Sequence, residues 1–290
     1  MKSNIRRNNL FFWLFLSPIL LALFVVVIIP LLYGFYYSFT NWNGINTPQF
    51  KGLANYSKLL KDKGFRNAVW FTLKFVVVSV ISINFVGLSL ALLVTQNIRG
   101  KNILRTVFFM PNLIGGLILG FIWQFVFLEG FNAIGELFGF EALKGWLSTT
   151  NTGFWGLVIL ITWQMAGYIM IIYIAHLESV PSELVEAAKI DGASSFQVLR
   201  HIIFPLVAPA FTVSMFLTLS NSFKLYDQNL SLTAGAPFNS TQMVAMNIYN
   251  TAFAENKMAY AQSKAIIFFI AVASVSLIQV YYNKKREVEF

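Results

Sequence analysis

Six apolar runs, each about twenty residues or longer, limit this chain more than any other feature. They lie near residues 11–32, 69–94, 106–128, 153–175, 203–223 and 265–283. A bilayer core offers the backbone no water, so every N–H and C=O must be paired within the crossing segment or its neighbours. Runs of this length therefore form helices, and the predicted fold class is all-α: a polytopic membrane protein of six transmembrane helices in a single domain over 1–290. Composition agrees. Charged residues make up 11% of the 290 positions, against about 25% in soluble domains. The first run follows Lys2, Arg6 and Arg7 and exceeds the apolar core of about 7–15 residues in a signal peptide. It ends in Pro30 and aromatics, so it reads as an uncleaved span.

Several kinds of chemistry are excluded. The chain has no cysteine, hence no disulfide, thiolate nucleophile or thiolate metal site. Its two histidines, His176 and His201, stand at the edges of apolar runs and read as interfacial or packing residues. No GxxxxGK[ST] loop is present to cradle a nucleotide. Proton- and sodium-coupled carriers usually keep an ionisable residue at mid-membrane depth, and the middles of these runs read as free of Asp, Glu, Lys and Arg. The net charge of +9 is scattered over loops, which suits anionic lipid headgroups rather than nucleic acid.

The longest polar interval with helix punctuation is Val180–Pro205, VPSELVEAAKIDGASSFQVLRHIIFP. Pro181 suits a first helical position, and Glu183 suits the first turn of a helix dipole. Good helix formers follow until Asp191-Gly192, which ends the helix and turns the chain. Ser194 and Gln197 spell a capping box for a second helix. Ala187 and Ala188 leave part of the first helix nearly bald, a shape suited to docking. An amphipathic connector lying on the lipid surface fits the same pattern.

Glu186-Ala187-Ala188, Gly192, Ile202 and Pro205 stand at the spacings of the EAA loop, with Phe204 where Leu is usual. In this the chain resembles the permease subunits of binding-protein-dependent ABC importers, of the raffinose, multiple-sugar and maltose type. Two further phrases extend the resemblance. FKGLANYSKLL at Phe50–Leu60 is similar to the phrase ahead of the second span, and Thr233-Ala234-Gly235-Ala236-Pro237 opens a segment similar to an extracellular projection of sugar permeases, with Ala236 where Gly is common.

The resemblance implies an ABC importer type I permease fold, with a cytoplasmic coupling loop at 176–202 and an extracellular loop at 224–261. Glu186, Ala187, Ala188, Asp191 and Gly192 would couple to an ATPase subunit. It implies a second permease, two ATP-binding cassette subunits that hold ATP and Mg, and an extracytoplasmic sugar-binding protein, with no cofactor or metal in this chain. The location would be a bacterial cytoplasmic membrane with both termini inside. Charge supports that orientation by a narrow margin: Arg99, Lys101, Arg105, Lys284, Lys285 and Arg286 fall inside, but Lys51, Lys58, Lys61, Lys63 and Arg66 fall outside.

Uncharged polar and aromatic residues inside the runs have two readings. Asn84, Trp123, Gln124, Trp163, Gln164, Tyr168, Thr218 and Asn221 all suit contact with a sugar, and any one of them taken singly fits helix–helix hydrogen bonding better. Gln164, Tyr168, Asn221 and Tyr226, which flank spans four and five, are the expected lining of a solute path, offering hydrogen bonds and flat faces to a sugar. Gly116 and Gly120 form a small-xxx-small packing pair. Pro209 is expected to bend span five, Lys74 to snorkel, and Ser240 to cap a helix reaching Phe253. The function expected is ATP-driven import of a carbohydrate, an oligosaccharide such as a raffinose-type sugar. A secondary carrier or channel for small polar solutes is the alternative.

Overall fold

The computed structural model describes residues 2–96 and 98–285, so Arg286 of the inside tally lies outside the described residues. Among the described residues the chain is helical, with one isolated β-bridge, Thr40 to Phe50. Its principal helices are α1 (Phe12–Ser38), α2 (Ala54–Leu60), α3 (Lys63–Val94), α4 (Lys101–Phe109), α5 (Gly116–Phe138) and α6 (Thr150–Leu177). They are followed by α7 (Ser182–Ile190), α8 (Ser195–Leu206), α9 (Ala208–Phe223), α10 (Asp227–Leu232), α11 (Val244–Tyr249) and α12 (Met258–Lys284). Five of these, α1, α3, α5, α6 and α12, are long and apolar enough to cross a membrane; the pair α8 and α9, bent by 68°, makes a sixth if counted as one span.

The chain forms two compact units: residues up to Asp62 with Ile248–Phe269, and Lys63–Asn247 with the residues from Ile270 onward. In the first unit α1 exposes its apolar side chains, as a lipid-facing helix does. Past its end, Asn55 of α2 donates to the carbonyls of Ser38 (2.8 Å) and Thr40 (2.8 Å), and Tyr56 Oη sits 2.7 Å from Ser38 Oγ. The Phe50–Leu60 phrase is thus a short helix fastened to the end of α1. Lys264, 3% exposed in the second turn of α12, lies 3.0 Å from Asp62 and donates to Thr251 Oγ1 (2.9 Å). Sequence placed that span at 265–283, just past this charge.

In the second unit α3, α6 and α9 share a buried core. Tyr173 of α6 donates to Asn84 Oδ1 of α3 (2.9 Å) and lies 2.8 Å from Ser214 Oγ of α9. Asn84 donates in turn to Thr218 Oγ1 (3.0 Å). All four residues are buried, so polar groups at core depth are satisfied by one another and fix how the three helices meet. Lys74 lays its Nζ over the Trp70 ring (5.1 Å), the stem following apolar surface as expected.

Two sequence boundaries are corrected. The third span begins at Gly116, not near 106: Met110–Leu113 is a 3₁₀ turn containing Pro111, and Gly115 is extended. Proline lacks the N–H needed to continue the ladder, so α4 ends before it and the span restarts at Gly116, five residues past the proline. The bend of span five falls between Leu206 and Ala208, with Pro209 in the first turn of the new helix, where its missing N–H costs nothing.

The segment 224–261 is not one projecting loop. Its α10 packs along α5: a Cβ on Gly116 would meet Asp227 and Gln228 at 2.9 Å, and one on Gly120 would overlap Ser231. The two glycines form a packing stripe as predicted, against a half-helix of the same chain. Ser240 does not cap a helix. α11 starts at Val244, because the Met243 and Val244 N–H groups are met by Asn229 Oδ1 (3.0 Å) and Thr72 Oγ1 (3.0 Å) instead.

Candidate functional site

The coupling-loop region forms as the punctuation dictates. Pro181 is the N-cap and Ser182 the first residue of α7, one position later than expected. Asp191 ends the helix and Gly192 takes φ +82°. Ser194 and Gln197 close a reciprocal capping box: the Gln197 N–H donates to Ser194 Oγ (3.4 Å), and the Ser194 N–H donates to Gln197 Oε1 (2.7 Å). Glu186, Ala187, Asp191 and Gly192 are exposed and Ala188 is half-buried. Three large apolar side chains stand out beside them: Leu184 (44% exposed), Ile190 (86%) and Phe196 (66%). Nothing lies within 4 Å of a Cβ placed on Gly192, so its role is conformational rather than steric.

The base of this loop is held by charge. Arg105 Nη2 of α4 donates to Glu178 Oε1 at 2.6 Å, where α6 ends. His176 and His201 each direct Nδ1 to a carbonyl one turn earlier, at 3.1 Å.

A cavity of about 290 Å³ opens in the second unit, and Gln164, Tyr168, Asn221 and Tyr226 all line it. Sequence reasoning grouped these four; the structure brings them together. Asn112, Lys224, Asp227 and Gln228 share the wall and were not among those expected. Asn112 and Lys224 sit on two interruptions of regular helix, and Asp227 and Gln228 open α10 just past the second. The first interruption is the 110–115 break ahead of α5; the second is Lys224–Tyr226, between α9 and α10. Gln164 ties both. Its Nε2 donates to the Ile114 carbonyl freed by the first break (3.2 Å), and its Oε1 accepts from Gln228 Nε2 (2.8 Å). Irregular backbone at span depth is tolerated where it lines a cavity and is re-satisfied by side chains, and both conditions hold here.

Gln164 stands at the middle of α6, so Lys224 and Asp227 place charge beside mid-span residues. Neither lies within an apolar run: both stand just past the fifth and line the cavity from there. The signal was hidden because α9 ends at Phe223 and the chain stays within the bundle instead of leaving it. The other polar candidates divide as their residue types suggest: Trp123 packs edge-on to Trp163 (5.6 Å), and Gln124 donates to the Leu232 carbonyl (3.2 Å). Among the described residues no group of three His, Asp or Glu side chains is arranged to hold a metal.

A polytopic helical chain with an exposed helix–glycine–helix knob and a polar cavity at mid-span is a transport subunit. Residues 83–288 match the family described as "Binding-protein-dependent transport system inner membrane component", and the chain belongs to that family: it is a membrane permease subunit of the ABC importer type. It is 59% identical over 288 residues to the "Probable starch degradation products transport system permease protein AmyD" of Thermoanaerobacterium thermosulfurigenes, covering 99% of each chain. It is 34% identical to the "Multiple sugar-binding transport system permease protein MsmF" of Streptococcus mutans, covering 97% of this chain and 98% of the relative. Among solved structures, a bacterial ABC transporter that imports the acidic polysaccharide alginate matches with a TM-score of 0.82 over 98% of both chains. At 18% identity this likeness concerns the fold alone.

Proposed function

We propose that this chain carries an oligosaccharide across a bacterial cytoplasmic membrane, driven by ATP hydrolysed in partner subunits. The relative at 59% identity, named for starch degradation products, carries this reading and makes α-glucan fragments the first candidates, ahead of raffinose-type sugars. The cavity supports it through its chemistry: amide groups for hydroxyls, and the Tyr168 and Tyr226 rings for C–H faces.

The α7–Gly192–α8 knob is the seat of the ATPase. Glu186, Ala187, Ala188, Asp191 and Gly192 form its tip, and Leu184, Ile190 and Phe196 offer the apolar area a cleft would bury. This puts 176–202 and both termini on the cytoplasmic side, and the Arg105–Glu178 pair supports a common side for 95–105 and 176–202. A second permease faces the open side of the cavity, and an extracytoplasmic binding protein delivers the sugar; one alginate transporter structure holds such a periplasmic protein. Movement of the knob then reaches the cavity through α9, which starts just past the bend after Leu206 and carries Asn221 in its last turn.

Uptake of labelled maltooligosaccharides and raffinose by a strain lacking the gene, with and without this chain, tests the reading. Restored maltooligosaccharide uptake with a co-purifying ATPase is expected. Uptake that persists when ATP is depleted but the ion gradient is kept would instead point to a secondary carrier.

A further inference from the structure

The cavity holds two charges of opposite sign, one opening a short break and the other just past its end. Lys224 follows the last residue of α9 and Asp227 opens α10, with Leu225 and Tyr226 between them. Neither takes part in an ion pair among the described residues. Both are exposed to the cavity rather than folded into the protein, whereas the neighbouring polar groups Gln164 and Gln228 are engaged with each other. Two unpaired ionic side chains beside mid-span residues are costly to keep unless something uses them.

We propose that Lys224 and Asp227 are the specificity-determining residues of the cavity, selecting an uncharged polyhydroxy solute by charge balance. This rests on the cavity being the solute site. The Asp227 carboxylate accepts hydroxyl hydrogens, and the Lys224 ammonium donates to hydroxyl oxygens. Their charges sum to zero, so a neutral sugar enters without leaving an uncompensated charge away from water. A sugar acid adds a second negative charge beside Asp227, and Lys224 compensates only one of the two. An amino sugar leaves an excess of positive charge by the same argument.

The test uses the assembled transporter in vesicles loaded with ATP, with labelled neutral, uronate-bearing and amino-bearing oligosaccharides. Asp227→Asn is expected to lower neutral-sugar uptake at least tenfold and to raise the uronate-to-neutral ratio. Lys224→Gln is expected to shift the ratio toward the amino-bearing sugar. The double variant, neutral again, is expected to recover neutral-sugar uptake above either single variant. Unchanged ratios in both single variants, or a double variant worse than both, overturn the proposal. Gln164→Leu separates it from the reading beneath: if that substitution leaves neutral uptake untouched, the cavity is not the solute site and both fall. If it abolishes uptake while the charge variants change no ratio, only the specificity assignment falls.

Discussion

Arg105 Nη2 lies 2.6 Å from Glu178 Oε1 and 3.5 Å from the Val94 carbonyl, so one guanidinium from the middle of α4 joins the ends of α3 and α6 beneath the proposed coupling loop. The side chains are 21% and 53% exposed, and such a pair contributes only about 0–1 kcal/mol to stability. Its value lies in position. Glu178→Gln and Arg105→Gln are expected to leave membrane levels unchanged while lowering sugar uptake per ATP hydrolysed. The swap Arg105→Glu/Glu178→Arg is expected to recover part of that ratio. Equal coupling ratios in wild type and both single variants would remove the pair from transmission.

At Gly192 the backbone takes φ +82° in open space. An L-residue in left-handed backbone costs roughly 1–2 kcal/mol, least for Asn and most for β-branched residues. Uptake is therefore expected to fall in the order Gly, Asn, Ala, Val at this position, with all four proteins inserted. If bulk rather than backbone mattered, Asn would be worse than Ala, and the uptake series decides between them.

Gly120 and Gly167 look alike in sequence and differ in what faces them. A Cβ on Gly120 meets the Ser231 side chain, whereas one on Gly167 meets the Phe108 carbonyl. Overpacking of this kind costs about 1–3 kcal/mol. Both Gly→Ala variants are expected to lose thermal stability in detergent. Ser231→Gly is expected to rescue Gly120→Ala, while trimming the Phe108 side chain cannot rescue Gly167→Ala because the obstacle is backbone. Failure of the Ser231→Gly rescue would show that the α5–α10 contact is not tight at this point.

Much of this was legible because its causes are local. Pro181, Asp191-Gly192 and the Ser194–Gln197 box act within one or two turns, so α7 and its turn follow from the sequence nearly residue for residue. The four cavity residues were found by type: amides and tyrosines in apolar runs need partners or ligands. Lys224, Asp227 and Asn112 were not, because hydropathy treats a polar break as an exit from the membrane. Here the chain past the break folds back so that α10 packs along α5, as the Gly116 and Gly120 contacts and the Gln124–Leu232 hydrogen bond show. The helix start at Val244 was equally hidden, since its caps, Asn229 and Thr72, come from other elements.

Lys264 makes the last prediction, within the first unit. Its ammonium is 3% exposed, 3.0 Å from Asp62, hydrogen-bonded to Thr251 and 4.7 Å from the centre of the Tyr260 ring. Tyr260 Oη donates to the same carboxylate at 2.7 Å, so Asp62→Asn removes the negative charge that both groups address. Breaking a buried pair from one side costs about 3–5 kcal/mol, because the remaining charge is left uncompensated, whereas replacing the pair with apolar groups is often neutral. Asp62→Asn is therefore expected to lower the thermal midpoint in detergent sharply, and Lys264→Met/Asp62→Asn to recover most of it. If the double variant is as unstable as the single, the loss in Asp62→Asn comes from the weakened Tyr260 hydrogen bond, now to a neutral amide oxygen, rather than from an uncompensated ammonium.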